Sequence, residues 1–596
     1  MIWVLVGHRG SGKTKLGSQT AVVLNRPFFD LDQTIAKSTG RSPEDWIQES
    51  EKKFRELEIE TLKNISQDPC IISPGGGVQD IPNEMAAIWV FREGWEKVAM
   101  RSRKRLRPEW SFEEEIQWMK DTREPRYVAW ADAKFDIPAD ERLEVSVTRL
   151  VELIQVLEVS FGSRLIQKSW WVGDPKRIDR QLIRTKQIQA KGVEVRTDIF
   201  DREKFANLKM NPQDVLFSVR TKQERPLAHE FRFVDVDQKW ARQTSVSPEC
   251  NLTYSTHPNS FKPPDFDQSM DSAGDRVGDR VKWAPAPQAF EDLNDYLKWG
   301  SELRKDYKEV TILPQGQRWA WLRVIEAVQL NQWNYVSGNA LPHEAGSPPW
   351  QIWALYSHAT PKARIFGLIG DPVEQSPGHL FHNSFFRKKG TDAIYVKIPV
   401  PKNELEDALL ILPKIGFKGL SVTAPHKREV IRCTNVETDD LAKRMNSANT
   451  LFLAENGKWL ATNKDIDGMR ATLHELQGKL GGRFEKVRHV LVIGKGGVSP
   501  AVLEALKEFP TLEYQHVGFR ELQENPVTWD SKWDMVINSS GQSVQAPEGK
   551  KVPIWIDLRH SPLAQNGGGQ MFISGDTFYR VQAIEQLKVW GMDAKM

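Results

Sequence analysis

The chain has 596 residues, of which 40% are hydrophobic and 27% charged. That length exceeds what one hydrophobic core organises, so three or four domains are expected. A formal net charge of +3 leaves no footprint for nucleic acid or anionic lipid, so small-molecule partners are expected and neither nucleic acid nor a membrane is.

Three scattered cysteines (Cys70, Cys250, Cys433) without metal-ligand spacing point to a reducing compartment. No cleavable leader or bilayer-length apolar run is evident, so the expected location is the cytoplasm. The first 155 or so residues alternate apolar strands ("MIWVLVG", "PCIISPGGG", "AAIWVF") with charged, amphipathic helical stretches, which predicts a parallel α/β sheet. Between the first strand and the first helix, "GHRGSGKT" places Gly7, Gly10, Gly12, Lys13 and Thr14 as a phosphate-binding loop. In such a loop backbone N–H groups cradle phosphates, the lysine reaches the terminal ones, and the threonine hydroxyl helps hold Mg²⁺. The motifs that follow, "FFDLD", "KFRELE", "SPGGG", "RLRP" and "REPRY", resemble those of shikimate kinase in order and spacing. The resemblance implies that Asp32 orients the attacking hydroxyl and that Asp30 supports the Mg²⁺ shell through water. Arg55, Arg123 and the Gly75, Gly76 and Gly77 backbone would clamp the substrate carboxylate, and Arg107 would close over the transferred phosphate. Another small-metabolite kinase of the same fold is the alternative.

A second series runs from "SWWVGDP" through "GVEVRTD", "DVLFSVRT", "FRFVDVD", "CNLTYSTH", "RVKWAPA" and "EVTILPQGQ", a repeated strand-and-helix unit closed into a barrel. Period-two alternation puts Glu194, Arg196 and Asp198 on one face, and Arg220, His257 and Lys282 fall at or near successive strand ends. Charges at that position suit a polar site at the C-terminal mouth of a barrel. These residues resemble type I 3-dehydroquinate dehydratase. The resemblance implies a Schiff base between Lys282 and the substrate ketone, with His257 as acid and base and Glu224 orienting its imidazole. Glu194, Arg196, Arg220, Arg323, Ser347 and Gln351 would hold the hydroxyls and carboxylate.

In the third series, "VLVIGKGGVSPAV" offers Gly494, Gly496 and Gly497 between a strand and a helix, a dinucleotide-type turn. Its neighbours "GDPVEQSPGHLFHN", "SVTAPHK", "NSANTL" and "TNKDIDG" resemble shikimate dehydrogenase. This implies Lys427 and Asp465 as the catalytic pair, with Ser376, Thr423, Asn449 and Gln582 binding substrate. NADPH is the implied reductant, with Arg520 the partner of its 2′-phosphate.

The expected architecture is therefore multidomain α/β. Residues 1–160 form a kinase-like P-loop domain, and residues 161–360 a (β/α)8-type barrel. Residues 361–596 form a dehydrogenase-like part, with a substrate portion to about 470, a Rossmann-like cofactor portion to about 572 and a returning helix. The order matches the C-terminal part of the AROM multienzyme polypeptide. It implies a trifunctional enzyme acting on 3-dehydroquinate, 3-dehydroshikimate and shikimate with ATP, Mg²⁺ and NADPH, its oligomeric state left open. The rivals are an inactive regulatory protein that senses quinate or shikimate, and a multienzyme with one inactive domain.

Overall fold

The computed structural model describes residues 1–65, 68–101, 110–139, 141–200, 211–221, 231–244, 249–258, 261–264, 266, 280–338, 349–374, 376–524, 529, 532–559, 564 and 566–593. These form two compact units, Met1–Gln288 with Asp295–Pro361, and Ala289–Asn294 with Lys362–Met596. No helix among the described residues is long and apolar enough to cross a membrane.

The first unit opens with a five-stranded parallel sheet in the order Phe28–Asp30, Cys70–Ser73, Ile2–Val6, Ala86–Arg92, Ala133–Ile137. Ile2–Val6 is its central strand, and Trp3, Val4, Leu5 and Val6 are all buried. An uninterrupted apolar run is what a strand covered on both faces requires. Ser42 and Asp45 close a capping box at the start of the helix Pro43–Asn64, and Ser111 and Glu114 do the same for Phe112–Trp130.

The same unit contains eight parallel strands ordered Glu309–Ile312, Arg280–Trp283, Asn251–Thr256, Phe233–Asp237, Val215–Val219, Gly192–Arg196, Ser169–Val172, Asn334–Ser337. The last, "NYVS", is a strand that alternation did not flag, being four residues long with a polar residue at each end. The barrel is nearly closed. Between its two end strands the Asn331 side chain donates to the Ile312 carbonyl and accepts from the Ile312 N–H, both at 2.9 Å. Trp170, Val172, Leu216, Ala284, Leu313, Trp333 and Tyr335 pack together, as side chains fill the lumen of such barrels.

Sheet and barrel meet at a buried charge cluster. Asp132, just before the last strand of the sheet, accepts from the Ala87 N–H at 2.8 Å, from Arg184 Nε at 2.9 Å and from Arg180 Nη2 at 3.2 Å. Both arginines come from the helix Ile178–Gln187, which follows the first barrel strand. Burial alone would raise the Asp132 carboxyl, but Arg184 and Arg180 hold it below the usual range.

The second unit holds a six-stranded mixed sheet and a five-stranded parallel one. The first is ordered Ala393–Pro399, Arg364–Gly370, Phe417–Val422, Thr450–Leu453, Trp459–Thr462, Val436–Thr438. The second is ordered Glu513–Val517, His489–Ile493, Met535–Asn538, Val552–Asp557, Gly569–Ser574. The closing helix Asp576–Val589 returns to the mixed sheet, where Gln586 Nε2 donates to the Asn449 carbonyl at 2.9 Å. The tryptophan richness, 22 residues, is in part a core property: Trp3, Trp95, Trp170, Trp171, Trp283, Trp350, Trp353, Trp459 and Trp555 are fully buried.

Candidate active sites

In the P-loop, Gly12 has φ 83°, a conformation that disfavours any residue with a Cβ, and it precedes the helix Lys13–Val23. Gly7 and Gly10 complete the turn, and Lys13 Nζ donates to the His8 carbonyl at 3.2 Å. Burial lowers Lys13 to about 8. Thr14 Oγ1 lies 3.2 Å from Ser73 Oγ. Asp30 caps the helix Leu31–Thr39 by accepting from the Gln33 N–H at 3.1 Å. Burial and the neighbouring Asp30 raise the carboxyl of Asp32.

The glycine turn faces the predicted substrate groups. A Cβ on Gly75 would stand 3.2 Å from Asp32 Oδ1, one on Gly76 would stand 3.4 Å from Arg123 Nη1, and one on Gly77 would collide with the Arg55 guanidinium at 2.5 Å. Only a bare backbone lets the turn approach these groups so closely. Two neighbours went unnoticed in the sequence. Glu58, fully buried and raised by burial to about 6, pairs with Arg55 Nη1 at 2.6 Å. Tyr127 donates to the Gly76 carbonyl at 2.6 Å. Glu58 was visible as part of the "KFRELE" helix, three residues after Arg55 and so on the same face. Arg107 lies outside the described residues.

At the C-terminal mouth of the barrel, Glu194, Arg196, Arg220, His257, Lys282 and Arg323 line one pocket. Lys282 Nζ contacts Asp235 and donates to Tyr335 Oη at 3.2 Å. Burial and then Arg220 lower Lys282 to about 8, leaving a substantial neutral fraction near neutral pH. Arg220 is tied to Asp235 at 2.8 Å and to Ser255 Oγ at 2.7 Å. Although Asp235 is buried, Arg220 and Lys282 hold its carboxyl far below the usual range. His257, lowered by burial and Arg220 to about 4, is neutral at working pH. Glu194 accepts from Ser218 Oγ at 2.7 Å, and Arg196 pairs with Asp198 at 2.6 Å.

Two expectations about this pocket need separate treatment. The imidazole has a carboxylate neighbour in Asp237, whose Oδ2 lies 2.9 Å from His257 Nδ1; Glu224, expected to orient the ring, lies outside the described residues, as does Ser347. Gln351 does not join the pocket. It sits on the short helix Trp350–Leu355, and its Oε1 accepts from the Lys134 N–H in the kinase-like sheet at 3.2 Å. Asp235 and Asp237 were legible in "FRFVDVD", where alternation places both on one face of a strand. Tyr335 was hidden in the strand that alternation missed.

In the second unit, Lys427 Nζ donates to Asp465 Oδ2 at 2.6 Å. Asn449 Nδ2 bridges Asp465 Oδ1 at 2.8 Å and Gln582 Oε1 at 3.0 Å, so four predicted residues form one hydrogen-bonded chain. Asp465 is buried at the first position of the helix Asp465–Leu480. Thr423 stands against Gly370, and Ser376 Oγ accepts from the Gly378 N–H at 3.3 Å.

The dinucleotide-type turn adjoins this chain. A Cβ on Gly497 would stand 2.7 Å from Lys427 Cβ. Ser447 Oγ donates to the Gly497 carbonyl at 2.8 Å, and Arg428 Nη2 to the Gly496 carbonyl at 3.3 Å. Gly494, at φ 114°, follows the strand His489–Ile493. Arg520 is exposed on the helix Phe519–Glu524 beyond the adjacent strand, beside Glu521, which pairs with Lys495 at 2.6 Å.

A P-loop sheet with Arg55 and Arg123 beside it, a barrel with a buried lysine at its mouth, and a Lys–Asp pair beside a glycine turn belong to a multidomain α/β chain. Residues 9–154 match the family model for shikimate kinase, and residues 368–451 match that for the shikimate dehydrogenase substrate binding domain. The chain belongs to the shikimate dehydrogenase family. It is 30% identical over 251 residues to the shikimate dehydrogenase (NADP(+)) of Ignicoccus hospitalis, covering 38% of this chain and 92% of that protein. It is 33% identical over 163 residues to the enzyme of the same name from Dictyoglomus thermophilum, covering 27% of this chain and 54% of the relative. It is 29% identical over 285 residues to the shikimate biosynthesis protein AroDE of Chlamydia pneumoniae, covering 46% of this chain and 57% of the relative. The chain thus spans little more than half the length of the latter two relatives.

Proposed function

We propose that this chain is a trifunctional enzyme that dehydrates 3-dehydroquinate, reduces the 3-dehydroshikimate formed and phosphorylates the resulting shikimate. On this reading residues 1–160 are the kinase, residues 161–360 the dehydratase and residues 361–596 the dehydrogenase. The observation that carries the least familiar part, the dehydratase, is Lys282. It is a buried amine lowered to about 8, set between Asp235 and Tyr335 in a pocket shared with His257. The likeness to the AroDE relative also runs beyond the dehydrogenase-like residues, since 46% of this chain is more than the residues from 361 to 596 supply.

In the dehydratase, neutral Lys282 attacks the ketone, and loss of water forms an iminium that draws electrons from the adjacent carbon. His257 removes the proton there and protonates the departing hydroxyl, with Asp237 holding the ring. Hydrolysis of the product iminium frees Lys282. Arg196, Arg220 and Arg323 surround the substrate's carboxylate and hydroxyls.

In the dehydrogenase, NADPH supplies the hydride. Lys427 protonates or polarises the carbonyl oxygen, and Asp465 fixes its ammonium. Asn449 and Gln582 hold the substrate hydroxyls. The glycine turn at Gly494, Gly496 and Gly497 fits a dinucleotide, because a side chain at Gly497 would collide with Lys427.

In the kinase, ATP with Mg²⁺ supplies the phosphoryl group. Asp32 orients the acceptor hydroxyl, Arg55 and Arg123 hold the carboxylate, and Lys13 faces the phosphates. The left-handed Gly12 and the buried Lys13 amine fit a polyphosphate.

The test is to incubate the chain with 3-dehydroquinate, NADPH, ATP and Mg²⁺ and to identify each product by mass. Shikimate 3-phosphate is expected. Borohydride added with 3-dehydroquinate should leave a mass adduct on Lys282, and an unmodified lysine in an otherwise turning-over protein would refute the dehydratase mechanism. A protein that binds all three acids and converts none would be the regulatory rival.

A further inference from the structure

Among the described residues, the Lys282 amine has two hydrogen-bond partners, Asp235 and the hydroxyl of Tyr335. The two differ in what they can do with a proton. Asp235 is buried, yet Arg220 and Lys282 hold its carboxyl far below the usual range, and its Oδ2 also accepts from Arg220 Nη2 at 2.8 Å. It therefore stays a carboxylate, a counter-charge that takes no proton. Tyr335 Oη lies 3.2 Å from Lys282 Nζ and 3.3 Å from Asp235 Oδ2, and a hydroxyl both donates and accepts.

Tyr335 is held in that place by its ring. It belongs to the eighth barrel strand, Asn334–Ser337, and packs in the lumen with Trp170, Leu216 and Trp333. Lys282 Nζ lies over the ring, 4.4 Å from its centroid, and the residue borders the same pocket as His257 and Arg323. The steps described above give this hydroxyl no task.

We propose that Tyr335 is a further catalytic residue of the barrel site, whose hydroxyl carries the proton between Lys282 Nζ and the substrate oxygen as the carbinolamine forms and as it breaks down.

This role rests on the dehydratase reading. Attack of Nζ on the ketone carbon forms the C–N bond and sends the C=O π pair to oxygen, which leaves an ammonium and an alkoxide on one carbon. A proton must then pass from nitrogen to oxygen before the hydroxyl can depart. Transfer straight across N–C–O follows a strained path, and Asp235 does not protonate. The Tyr335 O–H can give its proton to the alkoxide while its oxygen takes one from the N–H. Tyr335 ends as the phenol it began as, so burial, which raises its hydroxyl well above the ordinary value, does not oppose the passage. Release runs the other way. Once water has added to the product iminium carbon and given up a proton to solvent, the carbinolamine hydroxyl passes its proton through Tyr335 to nitrogen. The C–N bond then breaks with its pair going to Nζ, and the C=O bond re-forms.

The test is to mix the full chain with 3-dehydroquinate, quench with borohydride at intervals and follow the Lys282 adduct by mass. Tyr335→Phe keeps the ring beneath the amine and removes the hydroxyl, so the adduct should form about 100-fold more slowly, with the pH midpoint of its formation still at about 8. Tyr335→His, which restores a group able to give and take a proton, should recover part of the rate. If Tyr335→Phe lowers the melting temperature, the wild-type rate on the high-pH plateau decides. Slower adduct formation in D2O than in H2O supports the role, and equal rates overturn it. A wild-type rate in Tyr335→Phe would also overturn it, as would a shifted midpoint with an unchanged plateau, which would make the hydroxyl a brace for the ammonium. A wild-type chain that forms no adduct would refute the dehydratase reading itself, and this role with it.

Discussion

Asp237 Oδ2 stands 2.9 Å from His257 Nδ1, which leaves the other ring nitrogen to face the pocket that holds Lys282. A carboxylate behind the imidazole fixes its tautomer and orientation. Asp237→Asn should lower dehydratase kcat by about 100-fold with KM little changed, because the ring is misdirected and the substrate contacts remain. Steady-state kinetics on the dehydration step check this. An equal rise in KM would mean that Asp237 holds substrate instead.

On the proposed dehydratase mechanism, Lys282 attacks as the neutral amine. With its amine lowered to about 8, kcat/KM for dehydration should rise with pH and level off above that value, well below the ordinary lysine range. His257, neutral above about 4, imposes no limb in this window. Arg220→Met removes a cation beside Lys282 and leaves Asp235 to pair with it. Both changes favour the ammonium, so the limb should move to higher pH.

Gly497 has no room for a side chain. Gly497→Val would place methyl groups where the Lys427 stem runs, so dehydrogenase turnover should fall by about 100-fold or more. Kinase and dehydratase activities, measured on the same preparation, should persist. A comparable loss in all three would indicate general unfolding.

Asn449 donates to both Asp465 and Gln582. Asn449→Ala removes a buried bridge and should cost about 1–3 kcal/mol of stability, measured by denaturant unfolding, with a raised KM for 3-dehydroshikimate.

Asp132 is the counter-charge for Arg180 and Arg184. Asp132→Ala would leave two buried guanidiniums without it, a loss of about 3–5 kcal/mol. The native carboxyl lies below its unfolded value, so it stabilises the fold above that unfolded value, and the contribution disappears as pH falls through the folded one. Acid titration of wild type should therefore show a stability loss below about pH 4 that Asp132→Asn lacks.

What could be read from the sequence depended on how chemistry is distributed along the chain. The P-loop, the glycine turn at Gly75 to Gly77, and the Lys427 and Asp465 motifs are short contiguous signals set at strand-to-helix turns, and local reading located them. The period-two pattern likewise placed Glu194 and Arg196 at the barrel mouth. Asp235 carries the same signal, but its value lies in contacts with Lys282 and Tyr335, on two other strands, and with Arg220, just after a third. Gln351 shows the reverse failure. The resemblance to type I 3-dehydroquinate dehydratase implied a place in the pocket, yet its helix turns it towards Lys134, a destination set by packing between sheet and barrel. The eighth strand escaped because a four-residue strand with polar ends leaves too little alternation to detect.

The cluster at Asp132 also bears on dissecting the chain. A cut in the turn between Val159 and Arg164 would leave one fragment with an orphan carboxylate at the edge of its sheet. The other would carry Arg177, Arg180 and Arg184 on a helix stripped of its cover. Each fragment would bear the imprint of the other, opposite in charge and matched in shape. Co-expressed, they would be drawn to reassemble, and changes to one catalytic block would be constrained by the surface of its neighbour.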